Sequence, residues 1–259
     1  MIVGRRRRPT RSSLGRWVFA LVAGALAFVP LSAAAQTEGG SSQTLVTLVA
    51  VGALAIVPLF LMVATSFVKI SVVFSILKNA LGAGDVPSGA VITALSALLT
   101  VYVMAPVGER IAAAAGPAAA SIDRTDPLSD LDRLTEALTA GAEPLKDFLE
   151  HNAAERERTL FLELAREARQ GQNPDAVGER DLLVLLPAFL VTELSEAFQI
   201  GFLVFLPFLV VDVVVSNVLM SLGMQTLNPN QISMPFKLLL FVLVDGWYVL
   251  ARALVVGYG

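Results

Sequence analysis

The stretch from Leu182 to Leu222 limits the architecture more than any other part of the chain, because it is apolar almost without interruption. As one helix it would rise about 60 Å, roughly twice the ~30 Å hydrocarbon thickness of a bilayer. Pro187 and Pro207 lie within it, and an interior proline removes a helical hydrogen bond and kinks the rod, so the run is expected to form two segments bending near Pro207. The same run carries three carboxylates, Glu193, Glu196 and Asp212. Glu193 and Glu196 are three apart and share a helix face. Burying such groups without partners is costly, so cations are expected to meet them.

The rest of the chain repeats the apolar theme. Of 259 residues, 55% are hydrophobic and 16% charged, a balance that points to a membrane protein rather than a soluble domain. The absence of cysteine excludes disulfides and thiolate metal sites. At the start, Arg5 to Arg8, Arg11 and Arg16 precede an apolar run from Trp17 to Leu31 and the small residues Ala33-Ala34-Ala35. This order predicts a signal peptide over residues 1–35, cut near Ala35, with a retained anchor as the alternative.

Residues 36–108 are expected to form a helical hairpin. Thr44 to Val63 is long enough to span, with a bend at Pro58, and Ala90 to Val107 is a second span. Between them SFVKISVVFSILKNALG carries Lys69 and Lys78, which favours burial against protein or an angled interfacial helix. Residues 109–181 change character, with 16 acidic and nine basic side chains. Apolar positions at Leu145, Phe148 and Leu149, then Leu160, Phe161 and Leu164, predict a small helical insertion outside the membrane. Residues 182–259 form the C-terminal hydrophobic region. A polar break, Met224 to Pro235, precedes a last helix that begins in PFKLLLFVLVDGW and reaches about Val256. Lys237 and Asp245 border that helix about 12 Å apart along its axis, too far to pair with each other.

Enzymatic signatures are weak. GAGD at 82–85 has the form of a short intramembrane protease motif, but an interfacial turn ahead of Pro87 accounts for it more simply. The single histidine, His151, has no ligand cluster around it in sequence, and no phosphate-cradling glycine loop is present. The insertion lacks the basic and aromatic pattern of a nucleic-acid binder. No cofactor is implied. The membrane-region charges leave two readings: an ion path of a coupled transporter, or pairing of Glu193, Glu196, Asp212 and Asp245 with Lys69, Lys78, Lys237 and groups on neighbouring chains that specifies assembly. The second is favoured by the complementary signs. Met220 and Met224 are either flexible core filling or, in an oligomer, a ring that narrows a pore.

Several long motifs stand in a fixed order: SFVKISVVFSILKNALG at 66–82, VPSG at 86–89, VMAPV at 103–107, LPAFLVTELSEAFQIGFLVFLPFLVVDVVVSNVLMSLGM at 186–224, and PFKLLLFVLVDGW. Together they resemble the FliP/SctR family of core export-apparatus proteins. The resemblance implies an all-α, polytopic, membrane-associated fold of helical hairpins with a small extracytoplasmic insertion, and no enzymatic activity. It implies about five copies assembled with two other membrane subunits into a helical, pseudo-hexameric export gate at the boundary between inner membrane and periplasm. Such a gate passes unfolded secreted proteins and draws energy from associated ATPase and proton-motive-force components. The resemblance assigns an intersubunit charge role to Glu193, polar anchoring to Asp212, Lys237 and Asp245, and a gasket to Met224, where Gln225 and Thr226 leave the methionine pattern thin. Ser195 and Ser216-Asn217 favour an injectisome-like member, whereas the leader favours the flagellar branch.

Overall fold

Helix α1, Phe67–Leu81, supplies half of the buried side chains of the main apolar core. Its sequence alternates faces with helical spacing: Ile70, Val73, Phe74 and Leu77 are wholly buried, as are Ala80 and Leu81. A left-handed glycine ends it. Gly82 has φ +67° and donates its N–H to the Asn79 carbonyl at 3.2 Å, a backbone shape that a side chain would oppose. Lys78, in the last turn, complements the negative end of the helix dipole. The computed structural model describes residues 58–84, 86–121, 131–169, 177–224 and 226–258, and residues 58–63 are helical ahead of α1. The expected leader, most of the first expected span, Asp85 of GAGD, and Gln225 lie outside these residues.

Helix α2, Gly89–Ala120, starts where Ser88 Oγ accepts the Val91 N–H at 3.4 Å. It runs through Pro106 and Pro117, so the second expected span continues without a break well past Val107. Its buried Ser96 and Thr100 hydroxyls donate to carbonyls one turn back, at 2.8 and 2.7 Å, which keeps them satisfied on an apolar helix. Helices α3, Leu131–Asn152, and α4, Glu155–Glu167, make the insertion. Gly141 of α3 brings its backbone close to Ala115 and Ile111 of α2. Phe148 and Leu149 are buried as expected, but Leu160 and Leu164 are exposed and Leu162 is the α4 residue that packs inward. Helix α4 has Glu155 and Glu157 in its first turn and Arg166 in its last, the arrangement its dipole favours.

Helix α5, Leu182–Ser221, is a single helix of 40 residues through Pro187 and Pro207. The expected division near Pro207 is therefore corrected: each proline removes one backbone donor, and the helix continues through both with its remaining hydrogen bonds intact. Helices α5 and α1 run in the same direction, since Lys69 meets Glu193 and Ile76 meets Gly201. Helix α6, Pro229–Leu243, folds back along α5, capped by Asn228 Oδ1, which accepts the Asn230 N–H at 3.0 Å. Helix α7, Gly246–Val256, follows at 60° to it. The expected single last helix is thus broken at Asp245, a non-glycine residue with φ +51°, a conformation that aspartate tolerates better than most. Gly246 is required there because the Phe241 ring lies 2.1 Å from where a Cβ would stand.

Among the described residues two helices, α2 and α5, are long and apolar enough to cross a membrane, and the bent α6–α7 pair passes the same test if taken as one span. Only 11% of the most apolar part of α5 is buried within the chain. Phe198, Phe202, Leu203, Val210 and Val213 all face outward, which means lipid or another protein must cover them.

Candidate functional site

The charges expected to need partners find them in two clusters on α5. About 28 Å of helical rise separates Glu193 from Asp212. In the first cluster, Lys69 Nζ of α1 lies 2.9 Å from Glu193 Oε1 and 2.6 Å from Glu196 Oε2. Lys69 is 4% exposed and Glu193 is not exposed at all, whereas the Glu196 side chain is 47% exposed. Lys69 and Glu193 thus form a buried ion pair. The other carboxylate oxygen accepts from the Tyr258 hydroxyl, in the turn after α7. Lys69 Nζ also stands 4.2 Å above the Tyr258 ring centroid, a cation–π geometry. Burial, and then the neighbouring Glu193 carboxylate, push the Tyr258 phenol far above its ordinary range, so the group stays protonated and donates.

This arrangement locks a helix interface that apolar contacts alone would leave free to slide. Glu193, Ala197 and Gly201 form one stripe of α5 and all are buried. Small residues there let α1 approach closely, and Ile76 fills the notch above Gly201. Next to the ionic pair, Thr192 Oγ1 accepts the Ala154 N–H at 3.0 Å, which ties the α3–α4 corner to α5. A polar cleft of about 230 Å³ opens at this corner, lined by Lys69, His151, Asn152, Thr192, Glu196 and Gly257. His151 is exposed at its rim.

The second cluster is built on Lys237 of α6, 2% exposed. Its Nζ lies 2.7 Å from Asp212 Oδ2 and donates to the Ala80 carbonyl at 3.1 Å and to Asn230 Oδ1 at 3.4 Å. Ser233, wholly buried, donates to Asp212 Oδ1 at 2.5 Å. The cation therefore also caps the carbonyl end of α1, where the dipole favours positive charge. Lys237 thus binds α1, α5 and α6 together.

The remaining candidates are dispersed. Lys78 stays in the last turn of α1, partly buried. Asp245 is exposed at the α6–α7 break, where its role is conformational. Met220, 59% exposed, and Met224, 47% exposed, flank the left-handed Gly223 at the end of α5. Sequence reasoning missed Tyr258, Ser233 and Gly201. Gly201 was legible as one of the small residues at helical spacing, whereas nothing in the sequence marked Tyr258.

The insertion has its own surface network. Arg180, ahead of α5, contacts Asp147, lies 3.0 Å from Glu150 and 3.7 Å from Glu143 of α3. Lys146 holds the Glu143 carboxyl below its usual range, first by a hydrogen bond and then by charge. A depressed carboxylate pKa stabilises the fold above its unfolded value and stops doing so as pH falls through the folded one. Because these groups are exposed, Arg180→Ala is expected to leave the melting temperature within about 2 °C of the parent at neutral pH. A thermal melt in detergent checks this.

A sequence profile described as the FliP family matches residues 50–254. The chain is 41% identical over 206 residues to Yop proteins translocation protein R of Yersinia pestis, covering 80% of this chain and 92% of that protein. It is 44% identical over 220 residues to flagellar biosynthetic protein FliP of Pectobacterium carotovorum subsp. carotovorum, covering 84% and 80%. Hypersensitivity response secretion protein HrcR of Ralstonia nicotianae is 39% identical over 206 residues, covering 80% and 93%. All of the paired lysines and carboxylates of both clusters and every helix from α1 to α6 fall inside the matched region, whereas Tyr258 lies just beyond it.

Proposed function

The chain belongs to the FliP family, and from that membership we infer that it works as a core membrane subunit of a type III protein-export gate in the bacterial inner membrane. It is a structural subunit and not an enzyme. The alternative of an ion-coupled transporter falls with the family assignment. The pairing of Glu193 with Lys69 and of Asp212 with Lys237 agrees, because these carboxylates join helices instead of lining an open path.

One observation carries the gate reading beyond membership: the chain turns its charges inward and leaves α5 apolar and largely uncovered. An apolar groove of about 480 Å³ between α5 and α6, lined by residues such as Val210, Val214, Val218 and Phe236, continues that surface. These features favour a subunit completed by neighbours: about five copies, with two other membrane subunits, closing a helical, pseudo-hexameric gate at the membrane–periplasm boundary. Residues 1–35 act as a leader, 36–108 as the first hairpin, 109–181 as the periplasmic insertion and 182–259 as the pore-proximal region. Unfolded secreted proteins pass through the assembly, and associated export components supply the energy. Co-expression with the partner subunits and native mass spectrometry of the purified particle test this. One closed species holding several copies of this chain is expected; a stable monomer that ignores the partners would sink it.

Met220 and Met224, exposed beside a turn at the end of the long helix, suit a compliant constriction. In the assembled particle Met224→Ala is expected to raise ion leakage several-fold with copy number unchanged. Planar-bilayer conductance reads the effect, and conductance equal to the parent rejects the role.

A further inference from the structure

Tyr258 stands apart from both the family motifs and the paired charges, yet its side chain touches three helices. Its hydroxyl donates to Glu193 of α5, its ring lies under Lys69 of α1, and the same ring stacks on Phe148 of α3 with centroids 6.1 Å apart and planes 20° apart. Phe148 in turn packs against Phe189 of α5, 5.6 Å away. The apolar half of Tyr258 therefore belongs to the core beneath the insertion, and the polar half belongs to the buried ionic pair.

Each half has a distinct physical task. Glu193 has no exposure; Lys69 Nζ lies 2.9 Å from its Oε1, and the Tyr258 hydroxyl donates to its other oxygen, Oε2, so the hydroxyl answers the carboxylate oxygen that the cation does not. The ring lies against the Lys69 ammonium, 4.2 Å from ring centroid to Nζ, in a cation–π geometry. Stacking on Phe148 transmits the position of that ring to the α3–α4 hairpin. A polar tie of the hairpin to α5 lies close by, the Ala154–Thr192 hydrogen bond, at the residue next to Glu193.

We propose that Tyr258 is the positioning residue of the Lys69–Glu193 pair and, through its ring, the strap that seats the α3–α4 hairpin on that pair. The turn after α7 thereby makes the charge site and the insertion one mechanical unit. A movement of the hairpin would be felt at the buried charges, and loss of the charges would loosen the hairpin.

Two substitutions in the full chain, purified in detergent, separate the tasks. Tyr258→Phe keeps the ring and removes only the donor. It should shift the unfolding equilibrium in sodium dodecyl sulfate roughly tenfold in the parent and less than about twofold in a Glu193→Leu background. Tyr258→Leu removes the ring as well, and hydrogen exchange of amides 145–152 should accelerate roughly tenfold, an effect Tyr258→Phe should not produce. Equal shifts in both backgrounds, or none in either, overturn the positioning role. Unchanged exchange at 145–152 in Tyr258→Leu overturns the strap. If that variant does not accumulate, Phe148→Leu removes the stack from the other side and is read the same way. These measurements use the isolated chain, so their failure is separate from any failure to assemble or export.

Discussion

Lys69→Met is expected to cost the folded chain about 3–5 kcal/mol, the range for a buried ion pair that loses one partner. Methionine matches the length of the lysine stem, so apolar packing survives and only the charge is lost. Glu193 then remains fully buried with no cation within reach, while Glu196, half in solvent, is hydrated and little affected. The loss appears as a lower unfolding midpoint in detergent and a lower yield of intact protein. Adding Glu193→Leu should recover most of the stability, because replacing both members of a buried pair by apolar groups is nearly neutral. A Lys69→Met protein as stable as the parent would show that the pair contributes no net stability, and failure of the second substitution to rescue would show that the damage lies in packing.

The second large effect concerns shape. At Gly201 an added Cβ would meet Ile76 Cδ1 at 2.3 Å, Cγ2 at 3.1 Å and Cβ at 3.2 Å. The Cδ1 methyl can rotate away, but the Ile76 Cβ is fixed to the α1 backbone. Gly201→Ala therefore sets a modest clash against the ~1 kcal/mol that alanine gains over glycine inside a helix, and a near-neutral outcome is expected. Gly201→Leu has no such escape and should destabilise by about 3 kcal/mol, at the upper end of overpacking. The displaced α1 would also draw Lys69 off Glu193, two turns away, so the two defects should be coupled. Ile76→Ala in the Gly201→Leu background reopens the notch and should restore much of the loss. Thermal melts of the single and double variants decide the matter, and a Gly201→Leu protein with the parent's melting temperature would contradict the close approach.

Sign and spacing carried the sequence reading a long way. Three carboxylates on one apolar run and lysines on two others implied complementary pairing, within the chain or with neighbouring chains, and the structure pairs Lys69 with Glu193 and Glu196, and Lys237 with Asp212, inside one chain. The partner assignment was not legible, because it depends on α1 running parallel to α5 and α6 running back along it. The continuity of α5 through Pro207 was missed because an interior proline costs one hydrogen bond and a local clash, which a long helix on both sides can carry without breaking. The break at Asp245 hid within strongly apolar flanks that read as one helix, and only the Phe241 ring over Gly246 explains the turn. Tyr258 carried no signal at all, since a tyrosine beside two glycines has no period and no motif.

The bond from Lys237 to the Ala80 carbonyl joins positions 157 residues apart, and it bears on the order in which the chain can mature. Ribosomes deliver α1 first, with a buried lysine and an unclosed carbonyl end, long before α5 and α6 exist to answer them. Products that stop before α5 therefore hold α1 and its apolar neighbour α2 but neither the carboxylates that answer Lys69 nor the lysine that closes the Ala80 carbonyl, so the polar half of the α1 environment is completed only by the C-terminal third of the chain.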